Sequence, residues 1–149
     1  KVLMLSLIHD LGEVEEGDVP APQAGNLQEK DNREAGAVRR LFGVLPEEMG
    51  ERIRQWWEEY HQGQTPEAVF VRAVDKLETV IQHNQGKNGP DFDYRFNLTY
   101  GREWTDRFDQ TRALADLLRD TTRQRMPGSS GEDPLPDGDG GTRHNEQGE

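Results

Sequence analysis

Apolar residues recur along much of the chain at the spacing of an α-helix. One predicted helix, for example, has apolar residues at steps of four, three and four, which places them on one side: Phe70, Val74, Leu77 and Ile81. No stretch alternates convincingly between apolar and polar residues, and no internal repeat is evident. The pattern predicts an all-α fold with five helices, at about residues 1–13, 31–45, 46–60, 66–86 and 103–125.

Local signals mark several ends of these helices. Pro46 and the two acidic residues after it favour the first turn of a helix. Gly63 is expected to end that helix, and Thr65 and Pro66 are an N-cap and a first helical residue for the next. In the last helix the apolar side chains expected to face inward are Phe108, Leu114, Leu117 and Leu118.

The composition changes sharply after residue 126. Residues 127–149 contain six Gly, three Pro and six acidic residues, with Leu135 as the single apolar side chain. Such a segment buries too little surface to offset the entropy lost on ordering. We therefore predict one folded domain at 1–126 and a disordered acidic tail at 127–149, in which His144 has no expected role.

The charge balance excludes several classes of partner. The chain has 29 acidic and 18 basic side chains and a net charge of -11, which disfavours nucleic acid and anionic membrane surfaces.

The chain has no cysteine and no apolar run near the roughly 20 residues of a membrane helix. With no secretory signal evident, we expect a cytoplasmic protein. Because residue 1 is Lys and begins within a predicted helix, we expect a fragment of a longer chain.

Residues that could carry chemistry are concentrated near the start of the chain. His9 and Asp10 are adjacent in an apolar helix, Glu13 follows one turn later, and Asp18 follows in the next connection. One imidazole and three carboxylates suit Mn, Co, Mg, Fe or Zn ions. The alternative is a histidine at a helix end with solvated acids, and these residues alone do not decide between the two.

A single acid in the fourth predicted helix is a second candidate. Asp75 lies beside Val71 and Val74, which indicate an inward or boundary face. Taken alone, Asp75 is better explained by a surface salt bridge with Arg72 or Lys76 than by a functional site.

Together these residues resemble the HD superfamily of metal-dependent phosphohydrolases. The superfamily signature is a His-Asp pair on one helix and a lone Asp on a later one, here His9, Asp10 and Asp75. The closer resemblance is to the 5'-deoxynucleotidase branch, the group that includes HD domain-containing protein 2. The matching residues are 7–13, 17–18, 45–48, 57–60, 66–68, 70–71, Asp75 and Glu78.

The resemblance implies a fold, a cofactor and a reaction. It implies an HD-domain helical bundle in which His9, Asp10 and Asp75 hold a divalent Mn, Co or Mg ion, with Glu13 and Asp18 in catalytic roles. The expected reaction is hydrolysis of a deoxynucleoside 5'-monophosphate to a deoxynucleoside and phosphate. A small-molecule nucleotide is then the substrate, and a homodimer is the expected assembly.

One feature departs from the family pattern. Members carry an earlier metal-binding His, but only eight residues precede His9, and none of them is His. His61 and His83 are interpreted as surface residues rather than as replacements. Two alternatives therefore stand beside the phosphomonoesterase: a non-catalytic or truncated HD module that binds a nucleotide or a protein, and an HD nucleoside triphosphate hydrolase.

Overall fold

The computed structural model describes residues 1–15, 17 and 27–126. This part of the chain contains helices and connections and no β-strand, which confirms the all-α prediction. The predicted acidic tail at 127–149 lies outside the described residues. The α-helices are α1 (Val2–Ile8), α2 (Leu27–Phe42), α3 (Glu47–Gln62), α4 (Pro66–Gln85), α5 (Arg102–Thr105) and α6 (Asp109–Arg125), with 3-10 helices at His9–Val14 and Phe96–Leu98.

Three predicted helices differ from the observed ones. The second spans Leu27–Phe42 instead of residues 31–45. The first changes from α-helix to 3-10 helix at His9 instead of continuing to residue 13. The last is interrupted where Phe108 takes an extended conformation, with φ -129° and ψ 142°. The Thr111 hydroxyl stabilises that break because it donates to the carbonyls of Thr105 at 2.8 Å and Phe108 at 3.1 Å.

The junction between α3 and α4 follows its sequence signals closely. Gly63 is left-handed, with φ 59°, and its N–H donates to the Glu59 and Tyr60 carbonyls. Two residues later the Thr65 hydroxyl accepts a hydrogen bond from the Ala68 N–H at 3.3 Å, as an N-cap should. Both boundaries match the predicted ones.

Arg72 of α4 fixes the carboxyl end of α3. Its guanidinium donates to the carbonyls of Tyr60 at 2.8 Å and His61 at 2.6 Å. These carbonyls belong to the last turn of α3, where carbonyl groups lack the usual partners within the helix. The guanidinium also lies 4.7 Å from the ring centres of Tyr60 and Trp104. Arg72 thereby sets the position of α3 relative to α4.

Two apolar clusters form the described core around α1. The first joins α1 to α3 and α4, and the second joins it to α2 and α3. Their buried members are Leu5, Tyr60, Ala68 and Val71 in the first cluster, and Ile8, Val38, Phe42 and Trp57 in the second. Ile8 belongs to the second cluster, and His9, which follows it in the chain, lies at the edge of the core.

The predicted inward face of α6 is wrong. Leu114 and Leu117 are 41% and 62% exposed, and Phe108 and Leu118 are only partly buried. The buried side chains of α6 are instead Thr111, Ala115, Arg119 and Thr122. The polar members are tolerated there because they are paired. Thr122, for example, donates to the Asn84 side chain at 3.0 Å.

The end of α6 is tied to the end of α4. The Arg125 guanidinium donates to the carbonyls of Asn84 and Gly86 and to the Tyr94 hydroxyl. It thus satisfies carbonyls at the carboxyl end of α4, the helix that carries Asp75. Separately, within the described ranges no helix has the length and apolar character needed to cross a bilayer.

Candidate metal centre

His9 lies where α1 passes into the 3-10 helix, and its side chain is 16% exposed. Its Nδ1 is 2.9 Å from the carbonyl oxygen of Ser6. Since a carbonyl can only accept, this contact requires the proton on Nδ1. The lone pair of the neutral imidazole is then on Nε2, which is the arrangement that a metal-binding histidine needs.

The two predicted acidic ligands approach that same nitrogen. Asp10 Oδ1 lies 3.1 Å from His9 Nε2, and Asp75 Oδ1 lies 3.9 Å from it. Ligand atoms that share a zinc-sized ion at about 2.0–2.2 Å are about 3–4 Å apart. The structure therefore places Asp10 and Asp75 each near His9 Nε2. One nitrogen and two carboxylates are donors of the kind that suit a divalent cation.

The second oxygen of Asp75 is occupied by protein donors. Lys76 Nζ lies 3.0 Å from Asp75 Oδ2, and the Tyr60 hydroxyl donates to the same oxygen at 3.3 Å. The Lys76 salt bridge considered from the sequence is thus present, whereas Arg72 contacts carbonyls instead. Burial acts to lower the pKa of Lys76, but the Asp75 carboxylate outweighs it, and the pKa is raised.

Glu13 is held by a lysine of the next helix. Lys30 Nζ lies 2.9 Å from Glu13 Oε1 and 3.3 Å from Glu34 Oε1, so one ammonium bridges two carboxylates. Because the 3-10 helix has three residues per turn, Glu13 lies on the same side as Asp10 and not as His9. The predicted position of Asp18 lies outside the described residues.

A second group of possible ligands lies around Glu34. Ligand atoms of Asp31, Glu34 and His61 are all within 4.8 Å of one another, which is close enough to hold a metal ion. The Glu34 side chain is 9% exposed, and its pKa is raised because burial disfavours the carboxylate. Within the described residues this is the group whose ligand atoms all meet that mutual distance. Each candidate group has an ammonium against one of its carboxylates, Lys30 on Glu34 here and Lys76 on Asp75 beside His9. The group around His9 is favoured by its resemblance to the HD signature.

The comparison with protein families decides the family. A model of the HD domain matches residues 1–114. This chain belongs to the HD-domain family. The match includes α1 to α5, and hence His9, Asp10 and Asp75 of the candidate metal centre.

Curated relatives of this HD domain carry one recurrent name. The Danio rerio protein named 5'-deoxynucleotidase HDDC2 is 34% identical over 85 residues, which are 57% of this chain and 42% of that protein. The Bos taurus protein of the same name is 32% identical over 85 residues, with the same two shares. The Dictyostelium discoideum one is 32% identical over 90 residues, 60% of this chain and 47% of that protein. The chain thus spans less than half the length of these relatives. No solved structure matches it.

Two histidines of the HD domain are less exposed than the sequence predicted. His61 is 24% exposed and packs on Trp57, one helical turn earlier, with 3.8 Å between ring centres. Burial lowers the pKa of His61 to about 4, and Arg72, Lys30 and His9 act in the same direction. The interpretation of His61 as a solvated surface residue is therefore wrong.

His83 also has partners in the fold. Its Nδ1 lies 2.8 Å from Asn97 Oδ1, and its ring centre lies 4.9 Å from that of Phe92. His83 therefore packs against the segment between α4 and α5, and the surface assignment is corrected here as well.

Proposed function

We propose that this chain is part of a metal-dependent phosphomonoesterase that hydrolyses deoxynucleoside 5'-monophosphates to a deoxynucleoside and inorganic phosphate. The observation that supports the proposal is the approach of Asp10 Oδ1 and Asp75 Oδ1, from two separate segments of the chain, to the same nitrogen of His9. The substrate class comes from the relatives, which are named 5'-deoxynucleotidase in animals, Dictyostelium discoideum and Schizosaccharomyces pombe.

In this proposal the ligands of a divalent ion are His9 Nε2, Asp10 Oδ1 and Asp75 Oδ1, and Mn, Co and Mg are the candidate ions. A bound cation of this kind polarises a phosphoryl oxygen and makes water more acidic near neutral pH. The ligand set supports this role because its donors are one imidazole nitrogen and two hard carboxylate oxygens.

Glu13 is the proposed acid or base for proton transfer, together with Asp18. The Glu13 side chain is 19% exposed, and its contact with Lys30 holds it on the side of the 3-10 helix that also carries Asp10. A carboxylate fixed in this way is available to accept a proton from a nucleophile or to deliver one to a leaving group.

Local positive charge supports an anionic substrate despite the net charge of -11. Lys76 Nζ contacts Asp75, Lys30 Nζ contacts Glu13, and Arg72 is close enough to lower the pKa of His61. These cations offset the carboxylates of the site, so that a bound divalent ion leaves the local field favourable for phosphate.

The test is phosphate release by the full-length protein with added Mn²⁺ or Co²⁺. Asp75→Asn is expected to lower turnover of deoxyadenosine 5'-monophosphate at least about 100-fold, because it removes a charged ligand. The matched control is Asp120→Asn on α6, which removes an exposed carboxylate paired with Arg123 and is expected to leave turnover unchanged.

Equal activity of wild type and Asp75→Asn would show that Asp75 is not a metal ligand. Absence of turnover in a full-length protein that binds the ion would favour the non-catalytic HD module. Adenosine 5'-monophosphate and deoxyadenosine 5'-triphosphate serve as the comparison substrates for sugar selection and for the triphosphate hydrolase alternative.

A further inference from the structure

Tyr60 of α3 contacts both ends of the candidate metal centre. Its hydroxyl donates to Asp75 Oδ2 at 3.3 Å, and its ring packs edge-on against the imidazole of His9, with 5.1 Å between ring centres. One side chain therefore touches the ligand supplied by α4 and the ligand at the end of α1. Tyr60 belongs to the matching stretch 57–60, but the sequence assigns it no role, since a tyrosine on the apolar side of a helix usually serves the core.

The two oxygens of the Asp75 carboxylate have different partners. Oδ2 accepts from Tyr60 and lies 3.0 Å from Lys76 Nζ, while Oδ1 lies 3.9 Å from His9 Nε2. A carboxylate whose second oxygen is held in this way presents one defined oxygen to a cation. Such outer contacts orient metal ligands throughout known metal sites.

Tyr60 and Lys76 contact the same oxygen with different consequences. Lys76 carries a positive charge that repels a nearby cation. A phenol hydroxyl orients the carboxylate without that repulsion. In addition, Lys76 follows Asp75 directly in α4, whereas Tyr60 belongs to another helix and so fixes the position of Asp75 relative to His9.

The position of Tyr60 is itself well determined. The residue is 6% exposed and packs with Leu5, Ala68 and Val71 in the core. Arg72 holds it on two sides, through a hydrogen bond to its carbonyl at 2.8 Å and a guanidinium 4.7 Å from its ring centre. A hydroxyl on so constrained a ring has little freedom to turn away from Asp75.

We propose that Tyr60 is a positioning residue of the metal centre, whose hydroxyl holds Asp75 Oδ2 so that Oδ1 faces His9 Nε2 and the cation. This inference rests on the proposed function, because it takes Asp75 to be a metal ligand. It adds a residue that acts on the cation only through Asp75 and His9.

The experiment measures the affinity of the full-length protein for Mn²⁺ alone, without substrate, by competition with a chelating dye. Tyr60→Phe retains the ring and its packing and is expected to raise the Kd about 10-fold or more. The matched control is Tyr94→Phe, which removes a hydroxyl bonded to Asn88 and Arg125 and is expected to leave the Kd unchanged.

A double variant separates positioning from a merely structural effect. In Asp75→Asn the hydroxyl of Tyr60 has no carboxylate to orient, so adding Tyr60→Phe is expected to change the Kd no further. A Kd for Tyr60→Phe equal to that of wild type, with a raised Kd for Asp75→Asn, overturns the inference and leaves the proposed function standing. Equal binding by wild type and Asp75→Asn overturns both.

Discussion

His9 shows how a main-chain contact prepares a side chain for chemistry. The carbonyl of Ser6 accepts a hydrogen bond from Nδ1, and in the neutral imidazole this contact places the lone pair on Nε2. The neighbouring residues differ in exposure: Asp10 has a side chain that is 70% exposed, whereas the Asp75 side chain is 24% exposed. A cation here would have one ligand open to solvent and two anchored in the fold.

His61 leads to a prediction about how the free energy of unfolding depends on pH. Its pKa is about 4 in the folded chain, against 6.5 as the ordinary value, so between these values the unfolded chain binds a proton that the folded chain does not. The contribution of the neutral His61 to the free energy of unfolding is therefore complete above pH 6.5 and is lost as the pH falls towards 4. We expect the loss to be about 2–3 kcal/mol between pH 7.5 and 4.5.

Chemical denaturation of wild type and His61→Gln at pH 7.5 and 4.5 measures this effect. Other groups titrate in the same range, so the quantity of interest is the change in the difference between the two proteins. The free energy of unfolding of wild type minus that of His61→Gln is expected to shrink or change sign at pH 4.5, because the variant has no imidazole to protonate. A difference that is the same at both pH values would contradict the lowered pKa.

The candidate ligands could be predicted from the sequence, but their setting could not. His9, Asp10 and Asp75 are residue types whose spacing carries a family signature. Tyr60 lies in a stretch that resembles the family, but its contacts, like those of His61, depend on where α3 lies relative to α1 and α4. The predicted exposure of His61 is wrong for the same reason. A position near a helix end suggests that the side chain is solvated, and only its packing on Trp57 shows that it is not.

Among the elements, the 3-10 helix His9–Val14 matters most for the site. Gly12 lies in it and is buried, and a Cβ added there would lie 2.9 Å from the Glu34 Cβ and 3.2 Å from the Trp57 ring. The glycine therefore lets this element approach both α2 and α3. The same approach brings Glu13 within reach of Lys30.

Gly12→Ala is expected to destabilise the chain by about 1–3 kcal/mol, because neither Glu34 Cβ nor the Trp57 ring can yield easily. Thermal unfolding measures the effect. The control is Gly89→Ala, since a Cβ at Gly89 meets nothing within 4 Å. Equal melting temperatures for the two variants would show that the close approach at Gly12 is unimportant.

The helix boundaries show which local signals are sufficient. Gly63 and Thr65 act through hydrogen bonds to neighbours in the chain, and Pro66 acts through its fixed φ, so α3 ends and α4 begins where the sequence indicates. The buried side of α6 could not be found in this way. It is decided by partners such as Asn84, which makes Thr122 a better core residue than Leu117.

At the scale of the whole molecule, the sequence leaves the assembly as a prediction. We expect a homodimer, and several large apolar side chains are available to be covered, among them Leu3, Leu7 and Leu117 at 78%, 71% and 62% exposed. Size-exclusion chromatography with light scattering on the full-length protein is expected to give the mass of two chains. The mass of a single chain at micromolar concentration would contradict this expectation.

The hydrogen bonds from Arg125 to the end of α4 matter for the design of a shortened protein. The family match stops at residue 114, in the first third of α6, and invites a cut there. Such a cut would delete the guanidinium that caps the carbonyls of Asn84 and Gly86, together with the Thr122 hydroxyl that meets Asn84. The helix bearing Asp75 would then fray from its far end, so a minimal version of this domain has to extend through residue 125.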